Sequence, residues 1–337
     1  MDNILIVNVN WVGDAIFSIP VFKAIKQRYP RSFVACLCVP RVRDILEDSS
    51  YIDEVIVYDE QGKHKSPWGK LRMISQLRRK GFSVAFLLHG SLTRALLVFL
   101  AGIPVRVGYA TKNRGRWLTH PITVPDDDIH RSDHYLGIIE AYGIPVADRT
   151  CDLNVSSRTA QEVDVILEKH GVLRKEDFIV INPGGNWDLK RWPPERFSTL
   201  LKDLSGAIKA KVVLTGAESD KDLVRGIVSG AAPAAVALTG ALTLKQLAGV
   251  MQRARLVVSA DSGPLHIADG VGTPTVALFG PTRPEVTGPR GKGEKRLIQK
   301  DVGCNKAPCY YLDCPDNICM KSITAEEVMA AVIQKLS

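Results

Sequence analysis

The sequence of 337 residues has no long apolar run, and its amino terminus lacks a basic segment followed by an apolar one. A transmembrane helix needs about 20 consecutive apolar residues, and a secretory signal needs a charged start before a shorter apolar stretch. We therefore expect neither a signal peptide nor a membrane span. We expect a cytoplasmic protein.

Two patterns that would identify other nucleotide- or nucleic-acid-binding proteins are also missing. No G-x-G-x-x-G follows the first strand-like run, which argues against a dinucleotide oxidoreductase. No helix-turn-helix, RNA-recognition or zinc-finger pattern accompanies the formal net charge of +8, so the charge does not indicate nucleic acid. The denser basic stretches, 111–120 and 63–65, suit a phosphorylated acceptor or an anionic membrane surface, and solvated loops explain them equally well.

The chain does contain a regular alternation of short β-branched runs and helical periodicity, which restarts near residue 178. This alternation is typical of α/β proteins with doubly wound parallel sheets, and the length suffices for two such domains. A polar stretch at 148–157 separates the halves, and we predict domains at 1–160 and 161–337. The predicted strands are 4–9, 33–39, 55–58, 84–88, 106–109, 178–184, 211–216, 235–240, 255–260 and 275–279, and predicted helices include 16–28, 70–80, 93–101 and 265–271.

One acidic residue, Asp14, lies at the start of a predicted helix just after the first strand. Ligands of open α/β sheets bind at the carboxyl ends of the strands, so a carboxylate there can take a proton from a substrate hydroxyl. An N-cap is an equally good interpretation of the same position.

The segment DSGPLH, residues 261–266, follows a buried strand and begins a helix. Ser262 and Gly263 then offer a hydroxyl and unhindered backbone N–H groups to a phosphate. The simpler interpretation makes Asp261 or Ser262 an N-cap and His266 a partly buried histidine with its hydrogen bonds satisfied. The segment alone favours the simpler interpretation.

A second polar loop follows the strand that begins at Phe178 and carries two adjacent cations. Lys190 can supply a point charge to a diphosphate, and Arg191 a planar fork. Structural salt bridging is the alternative, and we prefer it for Arg191. Trp192 is expected to pack against the following helix rather than stack on a base.

Together these motifs resemble glycosyltransferase family nine, the ADP-heptose:lipopolysaccharide heptosyltransferases. The resemblance spans nearly the whole chain. Its KRWP segment is more similar to the second heptosyltransferase of the lipopolysaccharide core than to the first. It rests on the order and spacing of Val-Gly-Asp14, KRWPPERF at 190–197, Gly-Ala-Glu218, DSGPLH at 261–266 and GTPTVALFGPT at 272–282.

The resemblance implies a GT-B fold of two facing Rossmann-like domains, with the acceptor on the amino-terminal domain and the sugar nucleotide on the carboxyl-terminal one. It also implies that the carboxyl-terminal helix can pack back on the amino-terminal domain. The implied reaction is inverting transfer of a heptosyl group from ADP-L-glycero-D-manno-heptose to the inner core of lipopolysaccharide, with no metal and no cofactor. The enzyme would then work in the cytoplasm, where peripheral contact with the inner membrane is possible.

The resemblance also assigns residues. Asp14 matches the general base and Lys190 the lysine near the diphosphate, and Arg114 lies between two further acceptor candidates. The donor positions are Gly185, Asn186, Glu218 (ribose), Leu242 (adenine), Asp261, Ser262, Gly263 and His266, and the acceptor candidates are Lys112, Arg114 and Arg116. Gly185 and Asn186 stand where some members carry paired threonines.

Two alternatives of other classes stay open at this point. A sugar-nucleotide epimerase on the same fold would release an altered sugar or nucleotide without an acceptor. A non-catalytic nucleotide-binding protein would bind without turnover.

Four of the seven cysteines recur at C-x4-C-x4-C-x4-C spacing, as Cys304, Cys309, Cys314 and Cys319. Four thiols could hold a metal, but structural zinc sites usually contain tighter pairs, and cytoplasmic proteins rarely depend on disulfides. We favour reduced structural thiols over a metal site, and a metal site over disulfides.

Overall fold

The chain divides into two compact units, Met1–Asn154 and Val155–Ser337. The computed structural model describes residues 3–125, 128–229, 235–309 and 314–336. The division precedes the predicted boundary because the helix that begins at Ser157 packs within the second unit, where a Cβ on Gly249 would lie 2.8 Å from the Val163 Cγ2 atom. Within these described ranges no helix is both long and apolar enough to cross a bilayer.

The described part of the first unit contains a six-stranded parallel sheet in the order β3-β2-β1-β4-β5-β6. Its central strands β1, β2 and β4 are buried because their apolar residues face helices on both sides of the sheet. The strands are β1 Asn3–Val7, β2 Phe33–Cys38, β3 Glu54–Val57, β4 Val84–Leu87, β5 Val105–Tyr109 and β6 His120–Ile122. The helices are α1 Val12–Phe17, α2 Ile19–Arg28, α3 Pro40–Glu47, α4 Pro67–Arg79, α5 Leu92–Leu100 and α6 Arg131–Ala141.

The second unit repeats this arrangement in its described residues, as a parallel sheet in the order β12-β11-β10-β7-β8-β9. The carboxyl-terminal helix α14 covers this sheet through Val328 and Val332, which belong to its core. The strands are β7 Phe178–Asn182, β8 Lys211–Leu214, β9 Ala235–Ala237, β10 Leu256–Ala260, β11 Thr275–Phe279 and β12 Lys295–Gln299. The helices are α7 Ser157–Lys169, α8 Pro194–Ala207, α9 Lys221–Ser229, α10 Leu244–Arg253, α11 Gly263–Gly270, α12 Pro284–Thr287, α13 Ile318–Lys321 and α14 Ala325–Leu336.

The ten predicted strands are all present, and the structure adds β6 and β12 at the sheet edges. The predicted helix at 16–28 is wrong in one respect, because the structure divides it into α1 and α2 at Ser18. Pro20 has no N–H to donate to the preceding turn, so a continuous helix would lose a hydrogen bond there. In addition, α1 begins at Val12, four residues earlier than predicted.

Two buried arginines tie together the loops at the carboxyl edge of the first sheet. The Arg94 guanidinium donates to the Asn8 carbonyl at 2.8 Å and to Asn10 Oδ1 at 2.7 Å, and it pairs with Glu60 at 2.9 Å. Arg114 donates to the carbonyls of Tyr109, at 2.7 Å, and of His89. The loops after β1, β3, β4 and β5 are therefore held by two cations.

These cations control the ionisation of His89, whose Nδ1 accepts from the Ser91 N–H at 3.1 Å. Burial, followed by the charges of Arg94, Arg114 and Lys112, lowers the pKa of His89 to about 4. The imidazole is therefore neutral at physiological pH and acts as an acceptor in the braced edge.

We predict that acidification from pH 6.5 to pH 4 destabilises the wild type more than a His89→Asn variant, whose amide oxygen can still accept from the Ser91 N–H. Between these pH values the unfolded chain binds the His89 proton and the folded chain does not, so the free energy of unfolding falls as the pH falls. After allowance for solvent screening, the expected difference is about 1–2 kcal/mol. Urea unfolding over this pH range measures it, and identical pH profiles would contradict the prediction.

Candidate active site

Asp14 lies in the first turn of α1, directly beyond the carboxyl end of β1. The N-cap of this helix is Trp11, and Asp14 follows it by three residues. The N-cap interpretation of Asp14 is therefore wrong, and its half-buried carboxylate is left for another task.

The Asp14 carboxylate is oriented by a buried phenol on α6. The Tyr135 hydroxyl donates to Asp14 Oδ1 at 2.9 Å. Burial, and after it the neighbouring Asp14 charge, raises the pKa of Tyr135 well above its usual range. The phenol therefore remains protonated and keeps donating to the carboxylate, which fixes one oxygen of the group.

In the second unit, Asp261 forms the centre of a cluster at the carboxyl end of β10. Its Oδ2 atom accepts from Lys190 Nζ at 2.6 Å, from the Thr282 hydroxyl at 2.6 Å and from the Thr287 hydroxyl at 3.1 Å. Its Oδ1 atom lies 3.5 Å from His266 Nε2. The side chain of Asp261 is only 3% exposed, so these groups replace water around a buried charge.

The carboxylate of Asp261 stays ionised in spite of its burial. Burial alone would raise the pKa of Asp261, but the hydrogen bond from His266 and the Lys190 ammonium outweigh it and hold that pKa below its usual range. The permanent negative charge in turn holds Lys190, whose side chain is 20% exposed, at a defined place on the edge of the sheet.

Sequence reasoning missed Thr282 and Thr287. Both hydroxyls donate to Asp261 from the segment that follows β11. Thr282 lies within the GTPTVALFGPT motif, but a threonine in a Pro-Gly loop has no pattern that identifies a buried partner 21 positions away along the chain. The only available signal was its position at the carboxyl end of a predicted strand.

The helix α11 begins at Gly263, two residues before the predicted start, with Ser262 as its N-cap residue. The Ser262 side chain makes no capping hydrogen bond within the described residues, and its hydroxyl lies 3.3 Å from the Ser259 hydroxyl. A Cβ on Gly185 would lie 3.7 Å from the Ser262 Cβ atom, so the loop after β7 passes directly beside this helix start. The structure thus brings Gly185, Ser262 and Gly263 together, whereas Asn186 projects from the same loop as an exposed side chain.

Arg191 holds the shape of this loop, as preferred above. It donates to the Gly185 carbonyl at 2.8 Å and pairs with Asp188 at 3.0 Å and Asp220 at 3.6 Å. Trp192 packs against Phe197 of α8, with ring centroids 4.8 Å apart, which confirms the packing prediction.

Two further residues that are candidates for binding the sugar nucleotide lie at the same edge of the sheet. Glu218 follows β8 with a side chain that is 71% exposed and paired with Lys221 at 2.6 Å. The cap of its short helical turn is made by Asp220, which accepts from the Ala217 N–H at 2.8 Å, so Glu218 is not used as a cap. Leu242 is half-buried in the loop between β9 and α10.

The three acceptor candidates have different environments in the loop after β5. Lys112 and Arg116 are exposed, whereas Arg114 is fully buried. The guanidinium N–H groups of Arg114 donate to backbone carbonyls. Burial lowers the pKa of Arg114 to about 10, so the side chain is still charged at neutral pH. Arg114 therefore braces the loop, and only its two neighbours can reach a ligand from the surface.

The four tail cysteines line one cavity of about 640 Å³ in the second unit. The Cys309 N–H donates to the Pro281 carbonyl at 2.8 Å, and the Asn317 N–H donates to Cys314 Sγ at 3.4 Å. All seven cysteines of the chain lie in described ranges, and none of them forms a disulfide there. Among the described residues, no three His, Cys, Asp or Glu side chains are arranged to hold a metal ion, and the role of these thiols stays a prediction.

The architecture is shared with solved structures. One is the glycosyl transferase family 9 protein from Veillonella parvula, with a TM-score of 0.88 and 24% identity over 99% of this chain and 97% of that one. Another is the ADP-heptose heptosyltransferase II of Escherichia coli, with a TM-score of 0.83 and 22% identity over 100% of this chain and 98% of that one. These likenesses establish a GT-B fold of two Rossmann-like units.

The sequence comparisons agree with the fold. Lipopolysaccharide heptosyltransferase 2 of Salmonella typhimurium is 26% identical over 90% of this chain and 89% of its own length. Lipooligosaccharide heptosyltransferase 2 of Haemophilus ducreyi is 27% identical over 86% of each chain. The model of glycosyltransferase family 9 (heptosyltransferase) matches residues 70–311, well over half of the sequence. The chain therefore belongs to glycosyltransferase family 9, the heptosyltransferase family.

Proposed function

We propose that this chain transfers a heptosyl group from ADP-L-glycero-D-manno-heptose to the inner core of lipopolysaccharide, with inversion at the anomeric carbon. The observation that carries the proposal is the buried Asp261 carboxylate, which holds Lys190 beside the start of α11. A cation and free helix N–H groups at one place suit the diphosphate of a sugar nucleotide. Family membership and the names of the relatives support the choice of heptose, and the name of the solved ADP-heptose heptosyltransferase II of Escherichia coli supports the choice of ADP.

The donor is proposed to bind along the carboxyl edge of the second unit. Lys190 and the backbone around Gly185, with the Asn186 amide, would meet the diphosphate from one loop, and Ser262 and Gly263 would meet it from α11. Glu218 can accept two hydroxyl protons from a ribose, because an ionised carboxylate has two acceptor oxygens. Leu242 offers an apolar surface to adenine, and His266 with Asp261 borders the sugar.

Asp14 is proposed as the general base in the first unit. The acceptor hydroxyl gives its proton to the carboxylate as its oxygen forms the new bond to the anomeric carbon. The bond from that carbon to the diphosphate oxygen breaks, and ADP leaves with the electron pair. Since one direct displacement occurs and no covalent intermediate is formed, the configuration is inverted.

Charge on the departing ADP is proposed to be met by Lys190 and by backbone N–H groups, so the reaction needs neither a metal ion nor a cofactor. Preorganised donors of this kind are effective because they do not reorganise as charge develops. The acceptor is proposed to contact Lys112 and Arg116, and a lipid-linked acceptor places the reaction at the cytoplasmic face of the inner membrane.

We predict that Asp14→Asn loses transfer and keeps donor binding. The substitution removes a base and little volume, so the turnover number should fall about 10²–10⁴-fold while the ADP dissociation constant stays within about twofold. Acceptor-dependent ADP release and calorimetric ADP titration measure the two quantities. Asp133→Asn, which removes a carboxylate paired with Arg149 in the same unit, is the matched control. Wild-type turnover in Asp14→Asn would disprove the role.

We predict that Lys190→Ala lowers kcat/KM for the donor about 10²–10³-fold, because a charge that stabilises the leaving diphosphate is removed. Lys209→Ala, which removes an exposed lysine of the same unit, should leave kcat/KM unchanged. If the two variants have the same donor kinetics, Lys190 does not contact the diphosphate.

We predict that the transfer rate of protein dialysed against EDTA stays within about twofold of the rate in added Mg²⁺, because Lys190 supplies the charge that a metal would otherwise supply. The initial rate of ADP release in the two buffers gives the comparison. A rate that disappears with EDTA and returns with a divalent ion would contradict metal independence.

A further inference from the structure

The most exposed large apolar side chain in the described residues belongs to Trp68, in the first turn of α4, which is 80% exposed. Leu71, one turn further along the same face, is 53% exposed. The opposite face of α4 is anchored in the core of the first unit by Met73 and Leu77, both fully buried. The helix is therefore apolar on two sides, and one of these sides has no cover in the structure.

The exposed side of α4 is surrounded by positive charge. Residues 61–80 contain seven Lys and Arg and no Asp or Glu. Among the cations that make no side-chain ion pair within the described residues, four lie close in sequence to the two apolar side chains. These four are Lys63, Lys65, Lys70 and Arg72.

The surface is held by local hydrogen bonds. The Asp59 carboxylate accepts from the N–H groups of Gly62, at 2.9 Å, and Lys63, at 3.1 Å. The Ser66 hydroxyl caps α4 by accepting from the Gly69 N–H at 3.1 Å. A Cβ on Gly69 would lie 2.5 Å from the Lys63 carbonyl oxygen, so the loop and the helix are in close contact. The exposure of Trp68 is thus a property of the folded unit.

Trp68 begins a helix that follows β3, and Asp14 begins one that follows β1. Since all strands of this sheet are parallel, both helices start at the same edge of the sheet. Lys112, which follows β5, lies at that edge too. A partner bound by the α4 surface is therefore on the side of the unit from which an acceptor approaches.

We propose that this surface, Lys63 to Arg72, docks the protein on the anionic face of a phospholipid bilayer. A tryptophan suited to the headgroup level, a leucine one turn away and the cations of residues 61–80, a stretch without Asp or Glu, form the combination that binds an interface enriched in anionic lipid. The cores of protein interfaces also favour tryptophan but are depleted of lysine, which argues against a protein partner. This proposal rests on the proposed function in one respect: docking on a membrane is useful because the proposed acceptor is linked to a lipid.

The test is co-sedimentation of the full chain, without donor, with vesicles of phosphatidylethanolamine and phosphatidylglycerol and with vesicles of phosphatidylcholine alone. Binding is expected to the first vesicles only, and to weaken with salt. Replacing Lys63 and Lys65 by alanine should lower the partition coefficient about fivefold for each cation removed. The pair Lys202→Ala and Lys209→Ala, exposed lysines of the second unit, should leave it unchanged.

The apolar contribution is tested with Trp68→Ala combined with Leu71→Ala. Its matched control combines Val165→Ala with Leu173→Ala, which removes two side chains that are each 65% exposed in the second unit. Only the α4 pair should lose vesicle binding, and thermal unfolding should be unchanged in both. Brominated lipid should quench wild-type fluorescence more than that of Trp68→Phe.

Several results would overturn the proposal. They are absence of vesicle binding by the wild type, equal binding to both kinds of vesicle, equal loss in the α4 and control pairs, and equal quenching of the wild type and Trp68→Phe. Retention on nucleic acid or on a partner protein through Trp68, with no binding to vesicles, would also overturn it.

Measurements of sugar transfer distinguish a failure of the docking surface from a failure of the proposed function. The α4 variants should transfer sugar to a deacylated, water-soluble core acceptor at the wild-type rate, and they should be slower only with the acceptor embedded in vesicles. No transfer to either acceptor by the wild type would reject the proposed function, while the vesicle-binding result would still decide the docking surface.

Discussion

A single buried carboxylate, Asp261, determines the arrangement of the carboxyl edge in the second unit. It collects a lysine, a histidine and two threonines from the three segments that follow β7, β10 and β11. An ionised group this deeply buried is tolerated only when its partners replace water, and Lys190 is the partner that supplies a compensating charge. The same cluster therefore joins three segments of the chain and holds Lys190 at the edge where we propose that the diphosphate binds.

The first unit uses the opposite charge for a similar purpose. Arg94 and Arg114 are buried and donate to loop carbonyls and to Asn10, and Arg94 also pairs with Glu60. These contacts fix the loop between β1 and α1, and hence the turn that carries Asp14. Each unit thus builds its edge around a buried charge, and in each unit a neighbouring side chain orients the residue proposed to react with or to bind the substrate: Tyr135 orients Asp14, and Asp261 orients Lys190.

The sequence predicts the central strands well, because runs such as FIVIN are continuous, β-branched and buried on both faces. It does not predict β12, whose KRLIQ pattern buries one residue in five, or the three-residue β6, since edge strands carry little periodicity. It places Asp14, Lys190 and Asp261 at strand ends. It cannot show that Arg114 is buried, because a cation in a polar loop is expected to be exposed until its carbonyl partners are known, and one of them, His89, lies 25 positions away in the sequence.

The central claim is that this chain is a heptosyltransferase whose donor site is organised by Asp261. The most direct measurement is ADP release from ADP-L-glycero-D-manno-heptose by the purified wild type, with and without a heptose-deficient inner-core acceptor, together with the mass of the acceptor. The account predicts release that requires the acceptor and an acceptor heavier by one heptosyl group. Release that is independent of the acceptor, or an acceptor of unchanged mass, would contradict it.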